Sequence, residues 1–139
     1  MDVTSEAIEA RKIKLTLNLS QTPAVMKANR RYLLMAVSHL IGNAIEATPE
    51  GGSITVSTAA EDNSVSLTVR DTGEGISKEN LARIFEPFFS TRRRIGLGLT
   101  FVRQIVDEHM GEVGVVSVPG EGTTITLTVP SHGVNGAPR

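Results

Sequence analysis

Apolar and polar positions change period several times along the chain, and each change marks an element. Residues 12–19 alternate without a break: Ile13, Leu15, Leu17 and Leu19 on one side, Lys12, Lys14, Thr16 and Asn18 on the other. That period of two predicts a half-buried strand. Residues 1–11 ahead of it read as a polar arm or helix end, and Val25-Met26 after it fits a brief edge strand. Asn29 is placed to cap a helix over residues 30–48. Its apolar stripe is Leu33, Leu34, Val37, Leu40, Ile41, Ala44 and Ile45, stopped by Pro49 and Gly51-Gly52. A hairpin follows: Ile54 and Val56 alternate with serines and threonines, Glu61-Asp62-Asn63 turns the chain, and Val65, Leu67 and Val69 alternate back. DTGEGI at 71–76 breaks the second strand, and Ser77 caps a short helix through Ile84. Residues 85–95 have no period. A helix over 97–109 carries Phe101, Val102, Ile105 and Val106 on one face, with Gly111 as its stop. Strands at 113–118 and 123–129 close the pattern, joined by Pro119-Gly120-Glu121-Gly122.

Helices interleaved with strands, two connections being tight hairpins, predict a two-layer α/β sandwich. It would hold a mixed, mostly antiparallel sheet of about five strands, covered on one face by about three helices. The 139 residues suit one domain at 12–130, with a disordered glycine- and proline-rich tail at 131–139. A net charge of −1 gives no electrostatic case for nucleic acid. No apolar run approaches the ~20 residues that span a bilayer. The absence of cysteine excludes a disulfide framework, a thiolate metal site and a cysteine nucleophile. His39, His109 and His132 are too scattered for a metal cluster. Thirteen glycines stand beside only five aromatics, so glycine either loosens loops or admits a ligand to the backbone.

Three segments could carry chemistry. His39, Asn43 and Glu46, at i, i+4 and i+7, form one polar stripe on the first long helix. A solvated face explains that spacing, but the neighbours are nearly all apolar or small. An asparagine oxygen there could serve Mg²⁺, which prefers hard oxygen ligands and keeps several waters. Asp71-Thr72-Gly73-Glu74-Gly75 begins where a strand ends. It is either a capped glycine turn or a carboxylate facing a cleft, poised to accept a hydrogen bond from an exocyclic amine. Gly96-Leu97-Gly98-Leu99 opens a helix, whose free N–H groups suit phosphate. It is neither a P-loop nor a dinucleotide fingerprint, since no Gly-Lys-Ser/Thr follows and Phe101 holds the sixth position. In order, the three offer a metal ligand, a base reader and a phosphate cradle.

At this point the sequence resembles the catalytic and ATP-binding domain of bacterial two-component sensor histidine kinases, within the Bergerat (GHKL) superfamily. HLIGNAIEATPEGG resembles that family's N box, DTGEG its first glycine box, IFEPFFSTR its F box, and GLGLTFVRQIVDEHMGEVGV its second glycine box with the helix after it. NAIEATPEGG beside FEPFFSTR is most similar to the nitrogen-regulation and oxygen-sensing branches. The resemblance implies that Asn43 coordinates Mg²⁺ and that Asp71 binds the adenine amine, helped by Gly73, Gly75 and, through water, Thr123. It implies that Gly96 and Gly98 face the ATP phosphates, with Leu97 and Leu99 as cofactor-binding positions beside them. Phe85, Phe88 and Phe89 would anchor a lid over 90–95, from which Arg92 reaches the phosphates.

Several positions depart from the family pattern. Arg94 stands where an extra lid glycine is common, Glu46 where a basic residue is common, and Ile125 where phenylalanine is frequent. His39 occupies the place of the glutamate that activates water in ATP-hydrolysing relatives. A catalytic and a structural role for it are both open, and slow hydrolysis is expected. None of the three histidines has the surroundings of the family's phosphoacceptor. The implied function is therefore that of a Mg-ATP-binding histidine kinase domain, transferring the γ-phosphate to a histidine on a separate dimerisation domain, with a response regulator downstream. A cytoplasmic, monomeric domain is expected, whether or not its parent is membrane-anchored. The alternatives are an anti-sigma-factor-type serine kinase, against which the F box argues, and a non-catalytic nucleotide-binding module. A gyrase- or chaperone-like ATPase fits less well without the hydrolytic glutamate.

Overall fold

The computed structural model describes residues 12–18, 30–61, 63–84 and 97–130. The expectations for the N-terminal arm, Val25-Met26, the Asn29 cap, the 85–96 segment and the tail lie outside these residues. Five strands form one sheet: β1 (Lys14–Asn18), β2 (Ser53–Ala60), β3 (Ser64–Asp71), β4 (Glu112–Val118) and β5 (Gly122–Pro130), in the order β1-β2-β3-β5-β4. Three pairings are antiparallel; β1 pairs with β2 in parallel, reached through the helix α1 (Arg30–Ala47). Two further helices are described, α2 (Lys78–Leu81) and α3 (Leu97–Glu108). The expected sandwich is therefore the observed one.

Strand alternation divides the sheet into two chemically distinct faces. Val56, Val69, Ile125 and Val115 align in one row across four strands and point at the helices. The core is built on that row with Ile54, Leu127, Leu40, Ala44, Val102, Ile105 and Val106. The opposite face carries Ser57, Thr68, Thr126, Ser66 and Thr128, and the Thr68 and Thr126 hydroxyls meet at 3.3 Å. Such a half-wet antiparallel face needs polar β-branched side chains, and threonine supplies them.

Four details differ from the sequence-based expectation. Register places Leu15 opposite Ile54 and Leu17 opposite Val56, on the core side. Yet they are 39% and 57% exposed, because among the described residues the helices pack chiefly over β3, β4 and β5 rather than over edge strand β1. Leu34, expected in the α1 stripe, is 56% exposed and lines an open groove with Arg31, Met35, Ser38 and His39, while Ala36 is fully buried instead. Ser77 does cap α2, its Oγ accepting from the Asn80 N–H at 3.2 Å, but the helix ends at Leu81 and the chain only turns through Ile84. At the end of α3 the left-handed residue is Met110 (φ 62°), not Gly111. The Met110 N–H reaches the Asp107 carbonyl and the Gly111 N–H the Val106 carbonyl, a Schellman closure with methionine in the position that favours glycine. Gly111 is needed for closeness: a Cβ there would lie 2.3 Å from the Thr128 carbonyl oxygen.

Candidate functional site

One residue pair beyond the Val56–Val69–Ile125–Val115 row, the same sheet face turns polar. Ile54 is followed across the strands by Asp71, Thr123 and Ser117 in register. Asp71 and Thr123 are each only 7% exposed. A polar row this deep must be hydrogen-bonded, and it is. Asp71 Oδ1 accepts from the Gly73 N–H at 2.8 Å and from the Thr123 N–H at 3.2 Å. Thr123 Oγ1 lies 2.8 Å from Ser117 Oγ, which accepts from the Ile76 N–H at 2.7 Å and donates to the Gly122 carbonyl at 3.1 Å.

These bonds fix the loop that runs from Asp71 to Ser77. Thr72 Oγ1 accepts from the Ser53 N–H at 3.0 Å, and the Glu74 carbonyl accepts from the Gly120 N–H at 2.8 Å. Gly75 sits at φ +75°, where a side chain would be strained, and its backbone lies against Val118 and Pro119. Gly73 lies under the last turn of α1, close to the Ala47 carbonyl. Asn43 is one turn (~6 Å) earlier on that helix, on the same face as Ala47. His39 is a further turn back, its ring edge-on to Phe101 of α3 at 5.5 Å and 79°. The α3 N-terminus begins at Leu97-Gly98, and half-buried Leu99 packs on the core.

The fold thus gathers Asp71, Gly73, Gly75 and Thr123 at one end of the sheet, below the C-terminal half of α1. His39 meets α3 through Phe101, so Asn43 stands between that contact and the glycine loop. Residues 28–133 match the family described as histidine kinase-, DNA gyrase B-, and HSP90-like ATPase. The chain belongs to that family. It is 38% identical over 134 residues to an uncharacterized sensor-like histidine kinase of Rhizobium meliloti (strain 1021), covering 91% of this chain and 26% of the relative. The sensor histidine kinase ZraS of Escherichia coli (strain K12) is 34% identical over 131 residues, 94% of this chain and 28% of ZraS. The solved, nucleotide-free catalytic domain of the histidine kinase ThkA superposes with a TM-score of 0.83 at 29% identity, over 93% of this chain and 87% of that one. Full-length ShkA in complex with AMPPNP gives 0.85 at 29% identity, over 99% of this chain and 29% of ShkA. The chain therefore spans about a quarter of the two curated relatives and corresponds to a catalytic ATPase domain of the two-component histidine kinases.

Arg92, Gly96, the three F-box phenylalanines and the 90–95 lid lie outside the described residues. Glu46 is half-buried on α1, and Ile125 is a core residue packed in the apolar row. Among the described residues no group of three or more histidine, cysteine, aspartate or glutamate side chains could hold a metal ion, and no helix is long and apolar enough to cross a membrane. His109 caps α3, Nδ1 lying 2.8 Å from the Ile105 carbonyl oxygen, so a donating ring N–H serves the helix end. Sequence reasoning missed Ser117. The alternation Val113, Val115, Ser117 put it on the inner face, but only strand register brings it beside Thr123.

Proposed function

We propose that the chain binds Mg-ATP at this end of the sheet and presents the γ-phosphate to a histidine on a separate dimerisation domain. The observation that carries the reading is the buried Asp71 carboxylate at the end of β3, held at Oδ1 by two backbone N–H groups. An acid this deep, held by the backbone of a fixed loop, suits an exocyclic amine of a flat base. Thr123 supplies a second buried oxygen in the same row. The glycine loop lets the base lie close to the backbone.

The donor set also fits the metal that travels with ATP. Mg²⁺ is held through one or two protein oxygens together with substrate phosphates and waters, so it needs no acidic cage. Asn43 offers a neutral oxygen one turn from the glycine loop, and the phosphates extend toward the N–H groups that open α3. Transfer then rests on positioning and charge neutralisation rather than on covalent chemistry by the protein. His39, seated between α1 and α3, acts on the attacking group or holds Asn43 and Phe101 in place. The wording of the N and F boxes supports a parent kinase nearest the nitrogen-regulation and oxygen-sensing branches, acting in the cytoplasm on a response regulator.

The test is Asp71→Asn. The amide oxygen can keep the Gly73 and Thr123 N–H bonds, while the other carboxylate oxygen becomes an N–H₂ donor. ATP affinity, measured by calorimetry, should fall about a hundredfold with the fold intact, the scale of one charge-assisted hydrogen bond exchanged for a donor clash. Undiminished ATP binding by this variant would remove Asp71 from the base-binding role.

A further inference from the structure

The hydrogen-bond polarity of the row Asp71–Thr123–Ser117 is set by its outermost member. Ser117 Oγ has three neighbours: the Ile76 N–H at 2.7 Å, the Gly122 carbonyl oxygen at 3.1 Å and Thr123 Oγ1 at 2.8 Å. The first can only donate and the second can only accept. A hydroxyl has one proton and two lone pairs. One assignment makes all three bonds: Ser117 accepts from Ile76, donates to Gly122, and accepts from the Thr123 hydroxyl. The reverse sense, with Ser117 donating to Thr123, forfeits the Gly122 bond and leaves the proton of a 93%-buried threonine without its protein acceptor.

The Thr123 proton is therefore directed away from Asp71, into the sheet. Toward the ligand Thr123 Oγ1 presents lone pairs only, and an ionised Asp71 carboxylate does the same. Two acceptors side by side match a group bearing two N–H donors. They oppose a group that brings an acceptor of its own.

We infer that Ser117 is a specificity-positioning residue, which locks Thr123 as an acceptor and so makes the site select a 6-amino over a 6-oxo purine nucleotide. This rests on the adenine-binding reading above and names a residue that need not touch the base. Ser117 acts through Thr123. Without its hydroxyl, the Thr123 proton loses its acceptor, rotates toward the ligand, and can donate to a 6-oxo oxygen.

The experiment uses the 139-residue chain with ATP and inosine triphosphate, which differ only at C6 and in the N1 proton that accompanies the oxo group. Dissociation constants are measured by calorimetry with Mg²⁺ present. The wild-type chain should prefer ATP. In Ser117→Ala the preference should fall about tenfold, the scale of one hydrogen bond reversed, and Ser117→Thr, which keeps the hydroxyl on a β-branched side chain, should retain it. Thr123→Val should lower the preference by itself, and adding Ser117→Ala should lower it no further. A purely structural role weakens both nucleotides alike in Ser117→Ala, so an unchanged ratio overturns the inference, as does an equal loss in the Thr123→Val background. If Ser117→Ala does not fold, the Ser117→Thr and Thr123→Val ratios decide alone: loss of preference in Ser117→Thr, or its persistence in Thr123→Val, overturns it. A wild-type chain that binds neither nucleotide refutes the adenine site itself, and that result is read before any variant is scored.

Discussion

Gly73→Ala puts the glycine loop under the sharpest test. The Gly73 φ lies outside the left-handed region, so alanine can adopt its backbone and the cost is purely steric. An added Cβ would lie 2.4 Å from the Ala47 carbonyl oxygen, 2.8 Å from its carbon and 2.9 Å from Asp71 Oδ1. Ordinary contact begins near 3.4 Å, so the loop must move about 1 Å away from α1 to relieve the first clash. Neither neighbour yields cheaply, since one is helix backbone and the other a carboxylate fixed by two N–H bonds. Overpacking of this kind costs about 1–3 kcal/mol. The shift also pulls the Gly73 N–H off Asp71 Oδ1, now at 2.8 Å, a charge-assisted bond worth about 1.5–3 kcal/mol. Together the loss is about 3–5 kcal/mol, or roughly 10–20 °C in Tm for a domain of this size. Urea denaturation followed by circular dichroism measures it, with Gly114→Ala as control, because a Cβ at Gly114 meets nothing within 4 Å. If Gly73→Ala stays within 1 kcal/mol of wild type, the loop is not wedged between α1 and Asp71 as argued.

Met110→Gly should stabilise the chain by about 1 kcal/mol, because methionine pays for a left-handed conformation in the Schellman closure while its side chain is 81% exposed and packs little; a lower urea midpoint in the variant would contradict this. His39→Phe and His39→Gln separate the two roles left open for His39. Phenylalanine keeps the aromatic edge against Phe101 and glutamine keeps hydrogen-bonding capacity. A role in the reaction predicts that phosphoryl transfer by His39→Phe falls at least tenfold at unchanged Tm, whereas a packing role predicts that only His39→Gln loses stability.

Much of this architecture was readable from alternation alone. Val65, Leu67 and Val69 set the face of β3, and the same period carries Asp71 onto the core side, which is why that carboxylate is buried. The Ser77 cap was equally legible, since the cap is a local bond. Longer-range features were not. Spacing in α1 admits Leu34 as well as Ala36, and only the partners of the helix decide that the first is exposed. Leu15 and Leu17 carry a buried-strand pattern, yet their exposure follows from where the helices come to rest. Ser117 became part of the site through the β4–β5 register, which places it opposite Thr123, and register is a property of pairs of strands. The end of α3 was legible, but not that Met110 turns left-handed there, because methionine rarely adopts that conformation.

Phosphoryl transfer from ATP to a histidine supplied by another domain is the reaction proposed for this chain. The direct measurement mixes the chain with γ-labelled Mg-ATP and a histidine-bearing dimerisation domain, and follows label on the acceptor through acid and base treatment. The expected result is acid-labile, base-stable phosphate on the acceptor, lost in Asn43→Ala while the variant remains folded. Acid-stable phosphate, or equal labelling by Asn43→Ala, would contradict it.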